Sequence, residues 1–108
     1  MTGTSLNELR LTGQLLEIST LRYTPAGLPA VNFTFSHHSR QIEADTPREV
    51  EVEIKVVALG QAALLLQGSK PGAWLKLCGF IAAQSQRSKQ PVLHVNTIEF
   101  MEGMENGI

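Results

Sequence analysis

Three segments with strand-like alternation come first, then one short helical segment bounded by glycines, then two more strand-like segments; this order constrains the fold more than any other feature of the chain. Leu9, Leu11, Gly13 and Leu15 alternate with Arg10, Thr12 and Gln14, the period-2 pattern of a strand with one buried face. This first strand is expected to reach about Ile18. In Thr24-Pro25-Ala26-Gly27-Leu28-Pro29, proline presets φ and glycine accepts a positive φ, so a hairpin-like reversal should follow. Val31, Phe33 and Phe35 then face inward, with the small polar Asn32, Thr34 and Ser36 outward. Ser39 to Pro47 is polar and ends in proline, which predicts a mobile loop between the second and third strands. Val50, Val52, Ile54 and Val56 supply the inner face of the third strand, and Glu49, Glu51, Glu53 and Lys55 its outer face.

Between Gly60 and Gly68 the run Gln-Ala-Ala-Leu-Leu-Leu-Gln has no β-branched residue and ends in a glycine stop, which suits about two helical turns plugging one end of a barrel. A turn at Lys70-Pro71-Gly72 leads into a fourth strand, with Leu75, Leu77, Gly79 and Ile81 inward and Trp74, Lys76 and Cys78 outward. Gly79 inside that strand marks a sharp bend. The polar stretch from Gln84 to Gln90 is the fourth connecting loop, and the last strand runs from Val92 to about Met101. The plan is all-β: a five-stranded OB-fold barrel with one short helix between strands 3 and 4. Such a barrel is used mainly to hold single-stranded nucleic acid or oligosaccharide between its first and fourth loops. With 108 residues, 43% of them apolar, the chain is read as one domain over 1–108, ordered from about 7 to 101 between short flexible ends.

The single cysteine, Cys78, leaves no disulfide framework, and neither a signal-like N-terminus nor a membrane-spanning apolar run is visible, so a cytoplasmic protein away from membranes is expected. A net charge of −1 speaks against a nucleic-acid partner only if charge is evenly spread. It is not. Ile54 to Ile98 contains no acid but holds Lys55, Lys70, Lys76, Arg87 and Lys89, and Ile18 to Ile42 contains no acid but holds Arg22 and Arg40. The acids sit elsewhere: Glu8 and Glu17 early, a cluster of Glu43, Asp45, Glu49, Glu51 and Glu53, and Glu99, Glu102 and Glu105 in the tail. Phosphate responds to charge within about 10 Å at moderate salt, so local excess matters more than the total.

Arg87 and Lys89 would stand over the binding face as phosphate contacts, although a solvated hairpin tip has the same composition. Arg22 and Tyr23, ahead of the first turn, offer a guanidinium for phosphate and a ring for stacking; an isolated tyrosine also packs against its own turn. His37, His38 and Arg40 run along the second strand into the next loop, where imidazoles can stack or bond to bases. Adjacent histidines on a strand point to opposite faces, so no metal is expected there, and no other cofactor motif is present. Lys55 and Lys76 complete the basic candidates, and Trp74 is a stacking platform, a protein interface or a residue covered by the termini. Cys78 with His94 is the only visible thiol–imidazole combination, and nothing beside either forms a reactive motif.

Asn7-Glu8-Leu9-Arg10-Leu11-Thr12-Gly13, followed by Leu21-Arg22-Tyr23-Thr24-Pro25-Ala26-Gly27-Leu28-Pro29-Ala30-Val31-Asn32-Phe33, closely resembles the opening of the bacterial single-stranded DNA-binding protein family. Gly60-Gln61-Ala62, Leu77-Cys78-Gly79-Phe80-Ile81 and the run from Val92 to Glu99 look like its primosomal replication protein N (primosomal protein B) branch, over about residues 7 to 101. The resemblance implies a homodimer that binds single-stranded DNA at stalled forks, stimulates the restart helicase (primosomal protein A) and helps bring in helicase-loading proteins. Arg22 takes the basic place before the first turn, His38 the one ending strand two, and Arg87 and Lys89 the basic fourth loop. Two departures stand out: that loop is shorter and poorer in lysine than is usual in the family, and Glu51 with its acidic neighbours stands where the third strand often begins with a stacking aromatic.

A missing ring forfeits about 1–3 kcal/mol per base, so the expectation is a non-catalytic accessory protein that binds single strands weakly and uses Glu49, Glu51, Glu53 and Trp74 toward a protein partner. Two alternatives stay open. A general single-stranded DNA-binding protein would need a long acidic-ended tail, where this chain stops at Met104-Glu105-Asn106-Gly107-Ile108. A barrel that binds only protein is favoured by the acidic third strand and opposed by the basic fourth loop.

Overall fold

The computed structural model describes residues 5–101; the tail acids Glu102 and Glu105 and the terminal run from Met104 lie outside the described residues. The alternation near the N-terminus forms β1 (Leu9–Ile18), which serves two neighbours. Its first half pairs antiparallel with β5 (Trp74–Ala83), and after Gln14 it pairs with β3 (Pro29–Glu43) through a bulge between Leu15 and Glu17. β4 (Thr46–Leu59) pairs with β3 and, in parallel, with β6 (Pro91–Phe100) at Val56–Leu93, Val57–His94 and Ala58–Val95. With β6 antiparallel to β5, the order β1-β5-β6-β4-β3 closes on itself through β1–β3, the expected OB-fold barrel.

The core holds Leu15, Phe33, Phe35, Val56, Leu75, Leu77 and Leu93, the inward residues of every long strand. α1 (Gln61–Leu66) seals one end by burying Ala62, Ala63 and Leu66, as its glycine-bounded, alanine-leucine sequence predicts. Glycine is required where barrel strands cross closely. A Cβ on Gly79 would lie 1.9 Å from the His94 carbonyl oxygen, and one on Gly13 would lie 2.0 Å from that of Ser36. The β5–β6 register shifts at Cys78/Gly79, which is the expected bend.

Two segments differ from expectation. Arg22 and Tyr23 form a short strand, β2 (Arg22–Tyr23), paired with Ala30 and Pro29 across the Thr24–Leu28 reversal. Ser39 to Pro47 is not a loop. β3 and β4 continue as an antiparallel ribbon to Glu43–Thr46, closed by a two-residue turn whose Ala44 (φ 51°) and Asp45 (φ 65°) are both left-handed. β1 leaves β3 at Ser36 and β6 joins β4 only at Val56, so the far ribbon has no other sheet neighbour. Without a core beneath it, nothing selects hydrophobic alternation, and a polar strand pair looks like a loop in sequence. Cross-strand side chains hold it instead: Arg40 bonds Glu49 at 2.7 Å, His38 bonds Glu49 at 2.8 Å, and Arg48 bonds Glu43. At the ribbon root, His37 Nδ1–H donates to the Thr12 carbonyl at 2.8 Å, and its Nε2 lies 2.8 Å from Ser39 Oγ.

Candidate nucleic-acid interface

Outward positions on a strand repeat every second residue, so register decides which of them meet. On the barrel, Asn32 of β3 lies opposite Val57 of β4, Val57 opposite His94 of β6, and His94 opposite Phe80 of β5. These four side chains form one rung across four strands. On β3 and β4 the neighbouring rung pairs Thr34 with Lys55. At the β2 end, an Arg22 Nη donates to Asn32 Oδ1 at 2.7 Å, which aims the guanidinium over the sheet. Ser19 fixes Asn32 in turn: its Oγ accepts from the Asn32 backbone N–H at 3.0 Å, and its own N–H donates to the Asn32 carbonyl at 2.9 Å.

All of these residues except Phe80 line a groove of about 630 Å³ on the outside of the barrel. Its rim carries Arg22, Lys55, Asn32, Thr34, Gln84 and His94, and Glu17 is its one acid. The groove therefore lies between the β1–β3 connection and the β5–β6 loop, and offers two cations, Arg22 held by Asn32 and Lys55, beside neutral donors and acceptors. That chemistry suits a polyanion with polar edges. Beside it the Phe80 and His94 rings stack with centroids 5.2 Å apart and planes 5° from parallel, and Phe80 is exposed.

Of the residues singled out in sequence, Arg22 and Lys55 line the groove. Tyr23 is exposed and lies outside its lining, on the β2 edge opposite Pro29. Arg87 and Lys89 are exposed in the β5–β6 loop, whose first residue, Gln84, is on the rim. That loop is closed by the Gln84 N–H to Gln90 carbonyl bond (2.8 Å) and by the Ser85 hydroxyl, which accepts from the backbone N–H of Arg87 and Ser88. His38 and Arg40 share the outward face but lie on the ribbon, engaged with Glu49. His37 is turned to the opposite face and tied to β1. Lys76 is not brought to the groove: it sits between Thr12 of β1 and Glu99 of β6.

Glu51 and Glu53 border a shallow hollow with Ser36 and His38, and neither forms an ion pair among the described residues. Trp74 lies elsewhere, half-buried near Lys70, Phe100 and Met101. Cys78 faces Thr97 and Arg10, whereas His94 faces Phe80 and Val57, so thiol and imidazole are not matched. Among the described residues no group of three metal-ligating side chains converges, and no helix is long and apolar enough to cross a membrane. Asn32, Thr34 and Gln84 also line the groove without having been singled out in sequence; the outward polar alternation Asn32-Thr34-Ser36 was the signal for the first two, whereas Gln84 and the Phe80–His94 contact had none.

A profile of a family described as another single-strand binding protein family matches residues 7–97. The replication restart protein PriB of Bordetella pertussis is 39% identical over 98 residues, 91% of this chain and 92% of that protein. That of Photobacterium profundum is 37% identical over 98 residues, 88% and 94% of the two chains. The chain belongs to the PriB replication restart protein family. The PriB structure from Ralstonia solanacearum superimposes with a TM-score of 0.81 at 35% identity, covering 91% of this chain and 100% of that one. The single-stranded DNA-binding protein of Thermus aquaticus superimposes with a TM-score of 0.72 at 24% identity, over 91% of this chain and 51% of that one, and shares the fold. The PriB family thus accounts for the barrel.

Proposed function

We propose that this chain is an accessory, non-catalytic protein of replication restart that holds single-stranded DNA across the groove between the β1–β3 connection and the β5–β6 loop. The observation that carries this reading is the pair of cations lining one groove of about 630 Å³ on a PriB-family barrel, Arg22 held by Asn32 and Lys55 opposite Thr34. Arg22 and Lys55 meet phosphates, Arg87 and Lys89 extend the positive rim, and Asn32, Thr34 and Gln84 bond to sugar or base edges. Binding is weak, because few cations face the strand and Glu51 and Glu53 oppose phosphate on the adjoining ribbon.

The ribbon supports a second role. Glu51 and Glu53, which form no ion pair among the described residues, suit contact, with His38 beside them, with a basic surface of a protein partner, and the restart helicase is the first to test. A homodimer is the expected assembly, and sedimentation showing only monomer at micromolar concentration would remove it. Fluorescence anisotropy of a labelled single-stranded oligonucleotide, beside a duplex control and across several salt concentrations, tests the DNA reading. Saturable binding that prefers the single strand and weakens with salt is expected; no binding at low salt would leave only the protein contact.

A further inference from the structure

We propose that the Phe80–His94 pair is a nucleobase-stacking platform, and that the bound strand crosses the barrel along the rung Asn32–Val57–His94–Phe80 instead of running out along the β3–β4 ribbon. This inference rests on the single-strand reading above and assigns the path within it. Four observations support it. The rung is continuous across β3, β4, β6 and β5 by register, and successive strands lie about 4.8 Å apart, so its ends are about 14 Å from each other. Arg22, bonded to Asn32, puts a phosphate-binding cation at one end, and the exposed Phe80 ring lies at the other.

Phe80 is a large apolar side chain on an outward strand position beside a polar groove, and its one aromatic contact is the parallel His94 ring 5.2 Å away. That stack fixes the orientation of both rings before any base arrives, so little side-chain freedom remains to be lost on stacking. The alternative path is unfavourable on charge: the ribbon presents Glu51 and Glu53 outward without an ion-pair partner among the described residues, and its cations Arg40 and Arg48 are engaged by Glu49 and Glu43. A platform on β5 and β6 supplies the stacking that a glutamate at position 51 does not.

Phe80→Leu removes the ring on a partly exposed surface and keeps the apolar cover, and Phe80→Tyr restores the ring. Each variant is titrated with a labelled oligo(dT) and with an abasic deoxyribose-phosphate oligomer of the same length and charge. Phe80→Leu should weaken oligo(dT) binding about tenfold, leave abasic binding unchanged, and be rescued by Phe80→Tyr. Glu51→Trp should leave oligo(dT) affinity within about twofold of the parent, because the strand does not reach the ribbon. Wild-type binding of oligo(dT) undiminished in Phe80→Leu, equal losses for both oligomers, or a tenfold gain in Glu51→Trp would each overturn this path while sparing the single-strand reading. A parent protein that binds neither oligomer would overturn both.

Discussion

Gly79→Ala tests whether the barrel depends on a backbone approach that only glycine permits. The added Cβ would stand 1.9 Å from the His94 carbonyl oxygen, 2.8 Å from its carbon and 2.9 Å from the Val95 Cα, all of them backbone atoms in β6. Ordinary contact needs about 3.4 Å, so β6 must retreat by about 1.5 Å at this point. A shift of that size breaks the ladder hydrogen bonds on either side, at about 1 kcal/mol each, and loosens the packing of Leu93 and Val95. The sum is about 3 kcal/mol. Unfolding entropy of about 2.1 cal/mol/K per residue converts this, for 108 residues, to a fall in Tm of about 13 °C. Gly27→Ala is the control: its φ of 88° strains alanine, but nothing lies within 4 Å of the new Cβ, so about 1–2 kcal/mol, or about 4–9 °C, is expected. Circular dichroism melts of the three proteins make the measurement. A Gly79→Ala melt within 3 °C of the parent would refute the reasoning (about 0.7 kcal/mol), as would equal losses in both variants.

Other perturbations separate charge from geometry. Arg22→Ala and Lys55→Gln should each reduce the magnitude of the log–log salt slope of single-strand binding by about 1, measured by anisotropy; an unchanged slope would remove that residue from the phosphate path. Asn32→Asp replaces the amide oxygen 2.7 Å from Arg22 with a carboxylate, so the guanidinium is neutralised in place, and affinity and slope should both fall while the melt holds or rises slightly. Replacing Ala44-Asp45 by Asn-Gly suits the left-handed turn, and should stabilise the ribbon by about 0.5–1 kcal/mol, read as slower amide exchange from Gln41 to Arg48. Slower exchange should come without a change in DNA affinity, since the ribbon lies off the rung.

The electrostatic design differs between barrel and ribbon. On the barrel, Arg22 is bonded to a neutral amide and keeps its full charge for a ligand. On the ribbon, Arg40 and His38 share one carboxylate, Glu49, at 2.7 and 2.8 Å, so the Arg40 charge is spent inside the protein. These ribbon pairs are more than half exposed and contribute at most about 1 kcal/mol each. Together they set the register of a strand pair that has no core to do so.

Alternation by itself determined the strands of the barrel, their buried faces except at Val52, expected inward but exposed where β4 runs out onto the ribbon, the end-sealing helix and the bend at Gly79, because each of these depends on whether a residue meets the core. Only the tertiary structure decided three other features. The ribbon from Ser39 to Pro47 reads as loop because both of its faces meet water, so burial leaves no period in the sequence. Lys76 and Lys55 look equivalent as outward lysines, yet barrel closure puts one between Thr12 and Glu99 and the other in the groove. His94 and Phe80 acquire each other from the antiparallel β5–β6 register, and His94 lies beside Val57, in one rung with Asn32, only because β4 and β6 pair in parallel. Residues distant in sequence are brought together by closure of the barrel, and local alternation carries no information about which strand comes to lie beside which.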